Sequence, residues 1–152
     1  NNTDTLGKQS FFETEIKNIL DYIKKIEIFE NDKTSNKKKY GFVIIDEILN
    51  GTNRKDSISV SYALCKKIFK YQNSMALVTT HQNYLGYLEK NYNVKNYKMN
   101  INYNKIKNKY INTYKLKPGI SDVYLGIEVL KKNGVSDDII KDAEKIKKIV
   151  NN

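Results

Sequence analysis

Two adjacent acids, Asp46 and Glu47, stand directly after the apolar run at residues 42–45. In nucleotide hydrolases, an acid that ends a hydrophobic strand holds Mg²⁺, directly or through water, and a following Glu orients or deprotonates the attacking water. We therefore expect Asp46 to be the magnesium ligand and Glu47 to be a catalytic residue. The alternative is that the acids are only the polar end of a buried strand.

A second apolar run, at residues 75–78, leads to His81, the only histidine of the chain. A lone histidine is more often structural than catalytic, but this one follows the acids by one strand–helix–strand unit. Ligands bind at the carboxyl ends of the strands in a parallel α/β sheet. We therefore expect His81 at the same sheet edge as the acids, as a second catalytic residue that reaches a terminal phosphate or holds the water.

The elements that must position these residues follow from apolar periodicity. A helix is predicted from Ser10, which forms a capping box with Glu13, and its apolar residues recur at helical spacing: Phe12, Ile16, Ile19, Ile23 and Ile26. Residues 40–46 are too continuously apolar for a half-exposed strand, so we expect a central strand covered on both faces. A helix over 57–71 and a buried strand over 74–80 complete the strand–helix–strand unit.

The second half of the chain continues the alternation of helices and strands. We predict a short helix over 82–91, two strands around a polar turn within 94–117, and a break at Pro118 and Gly119. Two helices close the chain, one after Ser121 and one after Ser136, each with an acid just behind the capping Ser. The pattern indicates an α/β fold with a layered sheet and flanking helices.

Composition narrows the class of protein. A chain of 152 residues, 39% hydrophobic and 29% charged, fits one globular domain. No apolar run reaches the roughly 20 residues of a membrane span, so no membrane partner is expected. A single cysteine, Cys65, fits a reducing, intracellular compartment, either nucleus or cytoplasm. The net charge of +10 suggests DNA contact. However, every basic residue except Arg54 is Lys, in a chain also rich in Asn, Ile and Tyr, which indicates that part of the charge is compositional drift.

Four segments in order resemble the ATPase domain of the MutS family, the ABC-type ATPases of DNA mismatch repair. The stretch VIIDEILNGTNRKDSISVSYAL is similar to the Walker B strand, its acid pair, the Gly-Thr turn and the next helix, and ALVTTHQNYLGYLEK to the strand with the switch histidine. The closing stretch of the family is similar to YKLKPGISDVYLGIEVLKKNGVSDDIIKDAEKI. At the front, DTLGKQSFFETEI resembles the signature segment that precedes a helix bearing Glu, here Glu15.

This resemblance implies a P-loop NTPase fold, ATP and Mg²⁺ as cofactors, and a second MutS-like subunit that sandwiches the nucleotide. Asp46, Glu47 and His81 would serve the ATP of their own subunit, whereas the signature would reach the γ-phosphate bound by the partner; the signature residues are Gly7, Lys8, Gln9 and Ser10. The first turn of a helix that begins at Ser10 would attract such an anion. The loop that faces the partner, the D-loop, corresponds to Gly51, Thr52 and Asn53.

The chain departs from the family pattern in one main respect. No G-x-x-x-x-G-K-[ST] occurs in it, and LGKQS does not replace that phosphate-binding loop. We therefore expect residues 1–152 to be the C-terminal part of a MutS-like ATPase domain, from signature to closing helices. It should be inactive in isolation and an ATPase in the full-length protein, which would bind mismatched or branched DNA through other domains. One alternative is a dimerisation or DNA-binding module whose ATPase has decayed; another is a basic scaffold that binds nucleic acid without nucleotide.

Overall fold

The computed structural model describes residues 2–32, 38–50, 53–104, 106, 109–121, 123 and 125–150. The sequence predicts a single domain, whereas the contacts within the chain fall into two compact units, Asn1–Asn96 and Tyr97–Asn152. Each unit contains both helices and strands of its own. The acids and the histidine all belong to the first unit.

The first unit begins with a long helix, α1, which spans Asn2–Asn31. The prediction that a helix begins at Ser10 is wrong, because Ser10 lies inside α1 and its carbonyl oxygen accepts a hydrogen bond of 2.8 Å from the Thr14 hydroxyl. No proline interrupts residues 2–9. Gly7 by itself costs a helix interior only about 1 kcal/mol, which does not end it. The capping box at Ser10 and Glu13 therefore does not form.

A strand–helix–strand unit follows α1. Strand β1 spans Gly41–Ile45, helix α2 spans Arg54–Ile68 and strand β2 spans Ser74–Val78. The two strands are parallel, and their register pairs Ile45 with Val78. Both predicted strands and the helix between them are present, but the prediction that the second strand is buried is wrong, because no residue of β2 is fully buried. In a parallel pair with this register, the two carboxyl ends lie side by side.

The two faces of this small sheet differ. Val43 and Ile45 of β1 are buried, but Phe42 and Ile44, which alternate with them, are more than half exposed. On β2, Met75 and Leu77 are exposed in the same way. The prediction that β1 is covered on both faces is therefore wrong for the part of the chain that is described. Side chains alternate along a strand, and the described elements of this unit cover only one of the two faces.

The buried face belongs to the apolar core of the first unit. The predicted short helix is present as a 3₁₀ helix over Asn83–Lys90. It buries Leu85 and Leu88, whose spacing of three residues suits this helix type. The core consists of buried side chains from α1, β1, the segment after β1, α2 and the 3₁₀ helix: Ile19, Ile23, Ile26, Val43, Ile45, Ile48, Leu49, Cys65, Ile68, Leu85 and Leu88.

The second unit begins with the predicted antiparallel hairpin, formed by β3 at Tyr97–Asn104 and β4 at Lys109–Pro118. Helix α3 spans Gly126–Lys132 and helix α4 spans Asp137–Val150. The start of α4 directly after Ser136 is as predicted.

The predicted helix start after Ser121 is wrong, because α3 begins only at Gly126. The Ser121 hydroxyl instead accepts a hydrogen bond of 3.5 Å from the backbone N–H of Val123 in a local turn. This is the competing use of a Ser side chain near a helix start.

Among the helices of the described residues, none has both the length and the apolar character needed to cross a membrane.

Candidate active site

The chain after β1 is attached to the chain after β2 by backbone hydrogen bonds that continue beyond the ladder. The N–H of Thr79 donates to the carbonyl of Ile45 at 2.9 Å, and the N–H of Ile48 donates to the carbonyl of Thr79 at 3.3 Å. Residues 46–48 therefore remain beside residues 79–81 after both strands have ended. This juxtaposition follows from the parallel register of β1 and β2.

Glu47 and His81 meet at this edge. The Glu47 Oε1 atom lies 3.0 Å from His81 Nε2, and the His81 side chain is 83% exposed. The prediction that His81 stands at the same sheet edge as the acids is thereby confirmed. A polar contact so open to solvent contributes at most about 1 kcal/mol, even where both partners are charged. The pair can therefore open at little cost when another group takes the place of one partner.

Asp46 is held differently. The Thr79 hydroxyl donates a hydrogen bond of 2.5 Å to Asp46 Oδ1, and the Thr79 hydroxyl oxygen accepts one of 2.9 Å from the backbone N–H of Glu47. The two acids thus have separate partners, His81 for Glu47 and Thr79 for Asp46. Sequence reasoning singled out His81 but missed Thr79. The available signal was a hydroxyl residue immediately after an apolar strand and two positions before the histidine.

The backbone of the acid-bearing segment is unusual. Glu47 has φ of 53° and Leu49 has φ of 50°, both in the left-handed region that side chains disfavour. Such a conformation costs about 1–3 kcal/mol per residue and persists only where its surroundings fix it. Leu49 is fixed by complete burial, and Glu47 by the hydrogen bond of its N–H to Thr79. Strained residues of this kind cluster at functional sites.

A second group of hydrogen bonds joins the same segment to the start of α2. Gln82, next to the histidine, donates through Nε2 to the carbonyl of Ile48 at 3.3 Å and to the Ser57 hydroxyl oxygen at 2.7 Å. The Ser57 hydroxyl in turn donates to the carbonyl of Leu49. The segment from Ile48 to α2 and the segment that carries His81 are therefore joined through buried or half-buried polar groups.

Helix α1 reaches this segment through Glu15. Burial raises the pKa of Glu15, and a hydrogen bond from the backbone of Leu49 acts in the opposite direction. Glu15 Oε2 and Gln82 Oε1 are buried acceptors without a hydrogen-bond partner among the described residues. The sequence indicated Glu15 only as the Glu of the helix after the signature, not as a partner of the acid-bearing segment.

Comparison with known proteins identifies the family. The family model for MutS domain V matches residues 4–151. The chain belongs to the MutS domain V family. Curated relatives include the DNA mismatch repair protein MutS of Parabacteroides distasonis, which is 33% identical over 121 residues, 78% of this chain and 14% of the relative.

Two further relatives give similar coverage. The protein of the same name from Bacteroides fragilis is also 33% identical over 121 residues. That of Aquifex pyrophilus is 32% identical over 115 residues, which make up 75% of this chain and 13% of the relative. The chain therefore spans about one seventh of the length of the curated relatives that it matches.

Two of the four signature residues expected from the MutS resemblance, Gly7 and Ser10, can be placed relative to the acids of this chain. Gly7 and Ser10 are exposed on α1, and among the described contacts neither meets Asp46, Glu47 or His81. The side chains of Lys8 and Gln9 lie outside the described part of the structure. Because Ser10 is inside α1, the argument from a helix N-terminus no longer supports anion binding there. A role for this segment on a partner's nucleotide stays a prediction.

The D-loop expected for a MutS domain V chain is described only at its last residue. Gly51 and Thr52 lie outside the described residues. Asn53 is exposed and caps α2, because its side-chain oxygen accepts a hydrogen bond of 3.1 Å from the backbone N–H of Lys55. Asn53 thereby fixes where the loop joins α2, whose Ser57 belongs to the hydrogen bonds that reach Gln82.

The oxygen atoms at the carboxyl ends of β1 and β2 suit magnesium. Asp46 and Glu47 supply carboxylate oxygens and Thr79 a hydroxyl oxygen, and Mg²⁺ prefers oxygen ligands. No group of three or more His, Cys, Asp or Glu side chains that could hold a metal occurs in the described ranges. Mg²⁺ in nucleotide sites is commonly held by one or two carboxylates together with substrate phosphates and waters, so Asp46 fits this role.

Proposed function

We propose that this chain supplies the hydrolysing edge of an ATPase domain in a MutS-type DNA mismatch repair protein. One observation carries the proposal: Asp46, Glu47 and His81 converge where two parallel strands end. This is the position at which parallel α/β sheets bind ligands. Membership of the MutS domain V family and the names of the curated relatives support the same function.

Asp46 would hold Mg²⁺ together with the phosphates of ATP, and the bound cation would offset the negative charge that develops during phosphoryl transfer. The Thr79 hydroxyl keeps Asp46 Oδ1 in place. Asp46 is exposed at the end of β1, so phosphates can reach it from solvent. An Asp that is already oriented loses little side-chain freedom when it becomes a ligand.

Glu47 would orient the attacking water and accept its proton. His81 contacts Glu47 Oε1, so this contact does not itself engage the second carboxylate oxygen. The left-handed backbone at Glu47 turns the chain directly after the magnesium ligand, which lets two successive acids have different partners. His81 is exposed beside Glu47 and would bind the terminal phosphate or the same water.

The exposed apolar face formed by Phe42, Ile44, Met75 and Leu77 supports the proposal that this is one part of a larger ATPase domain. Parallel sheets are normally covered on both faces. Further elements of a P-loop NTPase domain would cover this exposed face. The phosphate-binding loop would be supplied by other parts of the full-length protein. A second MutS-like subunit would contact the signature and the D-loop, and DNA would be bound elsewhere in the protein.

The test separates the two acids in the full-length protein. Asp46→Asn should weaken binding of Mg-ATP, because the cation loses a charged ligand. Glu47→Gln should leave binding nearly unchanged and lower turnover by about 10²–10⁴-fold, the usual contribution of a positioned general base. ATP affinity by calorimetry and steady-state hydrolysis should be measured side by side for the two variants.

Glu89→Gln is the matched control. Glu89 makes the same kind of surface contacts, with Lys95 and Asn96, but lies away from the acids in the 3₁₀ helix. Its substitution should leave both affinity and turnover unchanged. If Glu47→Gln hydrolyses ATP at the unsubstituted rate, the acid pair is only the polar end of a strand. If the unsubstituted protein binds no ATP, the module with a decayed ATPase is the better description.

A further inference from the structure

Thr79 makes four hydrogen bonds to the segment that carries the acids. Its N–H donates to Ile45 and its carbonyl accepts from Ile48, while its hydroxyl donates to Asp46 and accepts from Glu47. Backbone bonds of this kind form with any residue type. The two bonds of the hydroxyl depend on the side chain.

We propose that Thr79 is the positioning residue of the acid pair, acting through both acids at once; this inference rests on the proposed ATPase function. A hydroxyl has one proton to donate and lone pairs with which to accept. Here the Asp46 carboxylate accepts the hydrogen bond that the Thr79 hydroxyl donates, and the N–H of Glu47 donates to a lone pair of the same hydroxyl oxygen. One oxygen atom therefore fixes the carboxylate of the first acid and the backbone of the second.

The backbone conformation of Glu47 gives this contact its importance. At φ of 53°, Glu47 occupies a region that a side-chain-bearing residue leaves unless neighbouring groups hold it. The hydrogen bond from the Glu47 N–H to the Thr79 hydroxyl oxygen stabilises this conformation. Without the hydroxyl, Glu47 can relax toward an ordinary conformation, and its carboxylate then moves relative to Asp46 and His81.

The neighbouring Thr80 shows that the role belongs to one position. The Thr80 hydroxyl oxygen accepts a hydrogen bond of 3.0 Å from the N–H of Gln82, within its own turn. Thr79, by contrast, bonds across to residues 33 and 32 positions earlier in the chain. The two adjacent threonines therefore act on different segments.

The first experiment uses the full-length protein with Thr79→Val and Thr79→Ser. Valine keeps the branched shape and the strand propensity but has no hydroxyl, whereas serine keeps the hydroxyl. Loss of a partner that orients a metal ligand typically lowers metal affinity or activity by about 10–100-fold. We expect Thr79→Val to raise the Mg²⁺ concentration for half-maximal hydrolysis and to lower kcat by factors in this range, and Thr79→Ser to recover most of both.

Thr113→Val is the matched control, since the Thr113 hydroxyl bonds to Asn100 in the hairpin of the second unit. It should not change the Mg²⁺ requirement. A residue that served only the fold would lower the folded fraction in Thr79→Val while leaving the Mg²⁺ requirement of the folded protein unchanged, and that result would overturn the proposal. Equal loss in the Val and Ser variants would overturn it as well.

A second measurement, in the 152-residue chain, does not depend on hydrolysis. Amide hydrogen exchange followed by NMR should show the Glu47 N–H protected in the unsubstituted chain and in Thr79→Ser, and unprotected in Thr79→Val. Unchanged protection in Thr79→Val would show that the hydroxyl does not hold Glu47. If the full-length protein hydrolyses no ATP, the proposed function fails, while this exchange measurement still decides whether Thr79 positions the acids.

Discussion

Both units of the chain expose large apolar side chains, but among the described residues only the first unit also buries some. All buried side chains among the described residues lie in the first unit, between Ile19 and Leu88. From residue 97 onward no described residue is buried, and large apolar side chains are exposed: Tyr97, Met99, Tyr103, Ile106, Tyr110, Ile111, Tyr114, Leu116, Ile120, Val129, Ile139, Ile146 and Ile149. The first unit therefore has an apolar core that holds its elements, and the described part of the second unit has no such core.

This difference explains where the candidate site lies. Positioned acids need a backbone that does not relax, and Glu47 and Leu49 keep their left-handed conformations beside fully buried side chains. The hairpin and helices of the second unit leave large apolar side chains exposed. We infer that the candidate active-site residues lie in the first unit because its core fixes their backbone. We also infer that the effect of a substitution on the free energy of unfolding depends on which unit contains the residue.

The largest difference should appear in cysteine labelling. Cys65 is fully buried in the first unit, and burial raises the pKa of its thiol to about 12. Since the thiolate is the reactive form, a shift from about 8.5 to 12 lowers its fraction by roughly 10³-fold near pH 8. Alkylation of the native chain should be slower than alkylation in denaturant by at least this factor.

Cys65→Ser combined with Ile149→Cys places the single thiol on the exposed face of α4 instead. This variant should react at nearly the same rate in the native and denatured states. Rapid labelling of native Cys65 would show that the first unit opens easily, and the contrast between the units would then be wrong.

The next effect is on unfolding free energy. Ile26 on α1 is 2% exposed and Ile149 on α4 is 68% exposed, so the same substitution tests both units. Ile26→Ala removes buried methyl groups and should cost about 2–5 kcal/mol. Ile149→Ala should change stability by less than about 0.5 kcal/mol. Urea unfolding of the 152-residue chain measures both, and equal losses would mean that α4 buries its apolar face as well as α1 does.

The smallest effect is electrostatic. Hydrogen bonds from Lys67 and then from Tyr71 lower the pKa of Glu27 in the first unit, and a hydrogen bond from Lys131 lowers that of Glu144 in the second. An acid whose pKa is lower in the folded state stabilises the fold above its ordinary pKa. That contribution is lost as pH falls through the folded-state pKa.

Glu27→Gln should therefore lower stability near neutral pH, and the difference from the unsubstituted chain should vanish in acid. Glu144→Gln is the matched control and should change the main unfolding transition less, because its unit has no buried side chain among those described. Urea midpoints at about pH 7 and about pH 3 test this, the two values lying on either side of a carboxyl pKa. A larger acid-dependent loss for Glu144→Gln would reverse the comparison.

Much of the fold could be predicted because it depends on local pattern. The apolar runs at 42–45 and 75–78 with a helical segment between them specify a strand–helix–strand unit, and all three elements are present. The start of α1 and that of α3 could not be predicted, because Ser10 and Ser121 are compatible with either a cap or another local use. The open face at Phe42 and Ile44 depends on which other elements cover the sheet, and a run of apolar residues does not contain that information.

The sequence by itself determined that Asp46, Glu47 and His81 share a sheet edge, because parallel strands joined by a helix place their carboxyl ends together. Only the tertiary structure decided which partner each acid has. Thr79 bonds to Asp46 across 33 positions of sequence, and this contact exists only in the register that pairs Ile45 with Val78. Residue types can be read from the chain, but hydrogen bonds between distant segments require the distances and directions that packing sets.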